Sequence, residues 1–187
     1  HRRSWIENRI RLLSSIFGIQ ICAYAVMSNH LHIVTKLTPS SVDTLTEKEV
    51  AQRWACLFKG TLLFQRWFND DHLDQVQLHA VSDEIEKYRS RLKDLSWFMR
   101  CLDEPLARRA NREDGCSGRF WEGRFKCQRL LNAGAILACM AYVDLNPVRA
   151  GMADELIDSQ FTSVYDRIMA CRASSRLKEL GVVKSAT

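Results

Sequence analysis

Apolar residues along this chain recur at two different periods, and the changes between them mark out its elements. Over 2–17, Trp5, Ile6, Ile10, Leu13 and Phe17 keep helical spacing and Gly18 closes the run, which predicts a helix. Residues 19–27 are apolar and β-branched enough for a buried strand. Ser28-Asn29 carry turn chemistry, and 30–36 return as the second arm of a hairpin. Thr46 and Glu49 stand at capping-box spacing and open a helix through Ala51, Trp54 and Phe58 that stops near Gly60. Phe64, Trp67 and Phe68 predict a short helix, broken at Asn69-Asp70-Asp71. A long helix is expected from Ser82 to about Asn111, with Ile85, Tyr88, Leu92, Leu95, Phe98, Met99, Leu102 and Leu106 as its apolar stripe and Pro105 placed to kink or divide it. Asn132 suits the N-cap of a helix over 133–146 that buries Ile136, Leu137, Met140, Ala141 and Leu145 and is stopped by Pro147. One more helix falls near Ser159–Ala170, and the end is weakly structured from about Ser174.

Within the hairpin, successive side chains point to opposite faces, so His30 and His32 share one face and Leu31 takes the other. Two imidazoles on a rigid strand make half of a divalent-metal site; the plainer reading is histidines capping the edge of a core. Tyr142 and Asn146 are four apart and project from the same side of the late helix. A phenol attacks poorly at neutral pH unless a metal activates the electrophile and geometry holds it in line. A tyrosine helix facing a two-histidine metal site meets that requirement, with the Asn146 amide oxygen as a further ligand. His72 and His79, seven apart with no Cys or Glu at ligand spacing, read as surface or packing residues.

Composition sharpens the picture only in places. At 187 residues and 47% hydrophobic, the chain supports one domain with a real core. Its net charge of +5 tilts it toward a polyanionic partner. The basic bias is concentrated between residues 105 and 130, where seven Arg or Lys face three acids. There, in GCSGRFWEGRFKCQR, guanidinium groups interleave with Phe120, Trp121 and Phe125, a composition suited to stacking bases and pairing phosphates of a single strand. The same segment also reads as a core strand with aromatics inward and solvated cations outward. Seven cysteines without a CxxC pair read as reduced, in a cytoplasmic protein. No apolar run approaches the ~20 residues of a membrane span.

Three stretches in order, HLH at 30–32 within YAVMSNHLHIV, GRFWEGRFK at 118–126 and YVDLNPVRAG at 142–151, resemble REP-associated tyrosine transposases. These are the single-tyrosine branch of the His-hydrophobe-His (HUH) endonuclease superfamily, and the likeness runs from the first helix to about residue 170. It implies an α+β fold, an antiparallel sheet with packed helices in a ferredoxin-like, RRM-like core, here starting after the family's N-terminal strand. It implies that His30, His32 and Asn146 hold Mg²⁺ or Mn²⁺ and that Tyr142 attacks single-stranded DNA bearing a hairpin, forming a 5′-phosphotyrosine link. Arg119, Arg124, Lys126 and Arg149 are the expected DNA contacts. Residues 61–95 read as a helical insertion in a single domain over 1–170, and 171–187 as a weakly structured tail. The family assembles its sites both within one chain and between the chains of a homodimer, and the sequence leaves that open. A catalytically inactive hairpin-binding protein of the same fold is the alternative.

Overall fold

The structure is a computed structural model that describes residues 2–179. Helix α1 (Arg2–Ile16) runs through Phe17 and Gly18 into strand β1 (Ile19–Val26), and β2 (Leu31–Leu37) returns antiparallel to it. At Gly18 a Cβ would meet Val42 Cγ2 at 2.6 Å and the Thr38 carbonyl at 3.0 Å, so only bare backbone fits where helix and hairpin meet. The short helix α2 (Ser40–Asp43) leads to α3 (Glu47–Ala55), whose Thr46–Glu49 capping box forms as the spacing predicts. Then come α4 (Leu62–Phe68), α5 (Gln75–Leu92), α6 (Leu95–Glu113), α7 (Ala133–Arg149), a 3₁₀ turn at Leu156–Asp158 and α8 (Ser163–Glu179). The fold is α+β, with one two-stranded sheet among the described residues. None of the described helices is long and apolar enough to cross a membrane.

The hairpin divides two apolar clusters. Cross-strand partners share a face, and a bulge between Ile21 and Ala23 sets which. Tyr24 opposite Ile33 and Val26 opposite Leu31 face the larger cluster, where α1, α3, α5 and α6 meet around Leu13, Trp54, Ile85 and Phe98. Trp54 stacks on Tyr88 at 4.4 Å, and Phe17 meets Phe98 edge-on at 5.5 Å. Ala23 opposite Val34 and Ala25 opposite His32 face the smaller cluster, closed by Val143 of α7. Residues 61–95 carry α4 and α5, and their Phe64, Val81, Ile85, Tyr88 and Leu92 are part of the larger cluster.

Polar contacts tie the remaining helix on. Tyr24 Oη lies 2.8 Å from Glu7 and 2.6 Å from Asp166, while Arg11 reaches Asp166 at 2.5 Å and Glu7 at 3.3 Å. A phenol has one proton for two carboxylates, so the guanidinium is needed to offset the remaining charge. Burial, then the carboxylates of Asp166 and Glu7, holds the Tyr24 phenol well above its usual range. Ser163 Oγ accepts from the Tyr24 amide at 2.9 Å and lies 3.2 Å from Asp144, which also pairs with Arg167. Beyond Ile168, α8 is exposed through Leu177.

Several expectations are corrected. The helix expected over Ser82–Asn111 is two, because Asp94 N-caps a new helix through the Trp97 amide after α5 ends at Leu92. Pro105 does not divide α6. The Cys101 carbonyl, which a residue without an N–H at 105 leaves open, accepts from Arg9 Nε of α1 at 2.9 Å. α7 continues past Asn146 to Arg149 with Pro147 inside it. Its buried residues are Val143 and Pro147, while Ile136, Leu137, Ala141 and Leu145 are exposed and Met140 is half-buried, because a two-stranded sheet covers only a narrow stripe. Residues 115–129 form no strand; Gly115 and Gly118 take positive φ, and Asn111 and Trp121 pin the segment to the carbonyls of Gly118 and Asp103. The last helix starts at Ser163, after Phe161 at φ 64°, and runs on to Glu179 through Arg, Ala, Leu and Lys. Residues 171–179 of the expected tail are thus helical, and the rest of it lies outside the described residues.

One carboxyl makes stability depend on pH. Burial pushes Asp103 on α6 from the ordinary 3.8 up to about 6. Between those values the folded chain holds a proton that the unfolded chain releases. The contribution of Asp103 is therefore full below about pH 4 and is lost as pH rises through about 6. Asp103→Asn is expected to flatten the decline of the urea midpoint across that window; a variant profile parallel to the parent's would exclude this carboxyl as its source.

Candidate active site

His30 occupies the last position of the hairpin turn, where the Met27 N–H donates to its carbonyl at 2.9 Å. His32 is paired with Ala25 and so points to the α7 side of the sheet, while Leu31 and Ile33 pack into the larger cluster behind it. The two imidazoles meet edge-on with centroids 4.8 Å apart, and Tyr142 of α7 meets His32 edge-on at 5.8 Å. Residues 110 positions apart in sequence thus meet on one surface. Val143, next to Tyr142, is buried against Ala23, Ala25 and Val34, and this contact sets the rotation of α7 that presents the phenol to the histidines. Tyr142 remains 48% exposed, open enough for a macromolecular substrate.

Proton placement follows from the neighbours. His30 Nδ1 lies 2.7 Å from Asn29 Oδ1. With Nδ1–H donating to that amide, Nε2 keeps its lone pair for a metal. Burial, and after it the neighbouring His30, lowers the pKa of His32, which favours the neutral, ligand-competent ring. Asn29 enters the sequence reading only as a turn former; nothing about its position marks its amide as the partner of His30.

Asn146 follows Tyr142 by one turn, and its Nδ2 is buried without a hydrogen-bond partner. A buried amide end left unsatisfied is costly, and rotating the carboxamide exchanges nitrogen for oxygen in the same space. Among the described residues no three His, Cys, Asp or Glu gather as a metal-holding group. Two imidazoles and one amide oxygen are a donor set whose chemistry suits a divalent ion.

The four expected DNA contacts are all exposed and form no ion pair among the described residues. Only Arg149 meets the tyrosine, its guanidinium 5.6 Å from the ring centroid. Arg124 lines a groove against α6, while Arg119 and Lys126 stand on the irregular segment between. His72 and His79 are surface residues, as expected. All seven cysteines are free thiols. Comparison of the chain with family models, with curated proteins and with solved structures finds no match in any of the three.

Proposed function

We propose that this chain is a metal-dependent single-stranded DNA endonuclease and transposase of the HUH single-tyrosine type, similar to the REP-associated enzymes. The observation that carries the reading is the meeting of His30, His32 and Tyr142 at ring distances of 4.8 and 5.8 Å. The hairpin with α1 on one face and α7 on the other is compatible with part of a ferredoxin-like core.

Tyr142 Oη attacks a phosphorus of single-stranded DNA beside a hairpin. The Oη–P bond forms, the P–O3′ bond breaks, the phenolic proton passes to water, and the departing oxygen takes up a proton as a free 3′-OH. Attack by a 3′-OH on the phosphotyrosine reverses these bond changes and rejoins strands without ATP. His30, His32 and Asn146 would hold Mg²⁺ or Mn²⁺, which when bound supplies Lewis-acid polarisation of the phosphate. Asn29 keeps the His30 ring in the tautomer that leaves Nε2 free. Arg149, beside the phenol, pairs with a phosphate oxygen and orients the strand for in-line attack.

The test is covalent capture: labelled hairpin-bearing single-stranded DNA is incubated with the chain and Mn²⁺, then denatured. A protein–DNA adduct supports the enzyme, whereas hairpin binding without any adduct favours the inactive binder. Neutralising any one of Arg119, Arg124, Lys126 or Arg149 is expected to reduce the salt slope of single-strand binding by about 0.7. An unchanged slope removes that residue from the contacts.

A further inference from the structure

Away from the three rings, the first half of α6 and residues 124–125 enclose an open groove of about 370 Å³, lined by Trp97, Met99, Arg100, Asp103, Arg124 and Phe125. Its walls carry three kinds of chemistry. Arg100 lies 5.0 Å from the Trp97 ring centroid and pairs at 3.3 Å with Glu104, which Arg108 shares, making a flat wall that keeps part of its positive charge. Phe125 is half-buried, lines the groove and meets no other aromatic ring among the described residues. The Asp103 carboxylate has no hydrogen-bond or ion-pair partner among the described residues, and neither has the Arg124 guanidinium.

A free carboxylate is acceptor-only and repels a plain anion, so the groove is not built for phosphate alone. Two carboxylate oxygens match two adjacent N–H donors, and guanine is the base whose Watson–Crick edge presents such a pair at N1 and N2. Flat walls suit a stacked base, and a free guanidinium suits the phosphate beside it. Phe125 is five residues from Leu130, which packs on the smaller cluster beside Val143, so the intervening backbone spans at most about 18 Å. One strand can follow it from this groove toward Tyr142.

We propose that this groove holds one unpaired guanine nucleotide of the bound single strand, with the base stacked on Phe125, its N1–H and N2–H donating to Asp103, and its phosphate paired with Arg124. The proposal deepens the single-strand reading and rests on it. It is tested by fluorescence anisotropy with the full chain in EDTA, using labelled eight-nucleotide dT strands that carry one central dG, dA, dC or dI, or none. The dG strand is expected to bind roughly tenfold tighter than all-dT. Inosine, lacking N2, should lose most of that gain without any change to the protein, and Asp103→Asn and Phe125→Ala should each abolish it. Equal binding of dG and dI strands, or a dG preference that survives Asp103→Asn, overturns the site. The two readings fail separately. Adduct formation on strands where dG confers no advantage overturns the guanine site alone. A dG preference removed by Asp103→Asn in a chain that forms no adduct supports the site and overturns only the nicking chemistry.

Discussion

Tyr142→Phe abolishes covalent capture of hairpin DNA, with an expected loss of at least about 10⁴-fold, the scale on which removal of a nucleophile usually registers. The substitution deletes one oxygen and keeps the ring that meets His32, so that contact is retained. Because Tyr142 is 48% exposed, the melting temperature should not move beyond error. Denaturing electrophoresis of labelled DNA after incubation with Mn²⁺ reads the adduct directly. Tyr24 and Tyr88 are poor substitute nucleophiles. Tyr24 is hydrogen-bonded to Glu7 and Asp166, and Tyr88 to Glu84, and in both burial together with the carboxylates raises the phenol pKa and disfavours the phenolate. An adduct that persists at the parent rate in Tyr142→Phe would end the single-tyrosine reading.

The second large effect is on folding. Phe98→Ala should destabilise the chain by about 3–5 kcal/mol, through lost transfer energy plus an incompletely collapsed cavity. Phe98 is fully buried in the larger cluster and meets Phe17 edge-on at 5.5 Å, so the change also removes an aromatic pair joining α6 to the end of α1. Against a typical margin of about 5–15 kcal/mol, that places the variant near the threshold of folding at 37 °C. Leu137→Ala on α7 supplies the contrast: an equally apolar residue, 67% exposed, expected to change the urea midpoint by no more than about 0.5 kcal/mol. Similar costs for the two would mean that α7 is covered in solution by something that buries Leu137.

The hairpin was legible because alternation in a strand is a local rule, and Leu31 and His32 obey it on opposite sides of the sheet. His30, expected inside the strand, instead stands in the turn before β2 and meets His32 from there. The Thr46–Glu49 cap was legible for the same reason, since four consecutive residues contain the whole motif. What was not legible depended on distant partners. Pro105 reads locally as a breaker, yet Arg9, 96 positions earlier, supplies the donor that its ring removes. The buried side of α7 was misread because its composition is apolar nearly all round, and only the width of the sheet beneath decides which stripe is covered. Residues 115–129 have the composition of a strand but no neighbour to pair with among the described strands. Asn29 gained its interest only from its surroundings, an imidazole nitrogen 2.7 Å from its amide oxygen.

Among the described residues, helix α8 is fastened near its start by Ser163, Asp166 and Arg167, and every residue from Met169 to Leu177 is exposed. A helical stretch that short gains too little from its own hydrogen bonds to persist without support. Its amides from Ala173 onward should therefore exchange with deuterium on the timescale of local melting, while those of Ile85 and Leu102 wait for the whole domain to open. A protease offered the native chain should be able to cut among Arg172, Arg176 and their neighbours and leave the meeting of the three rings intact.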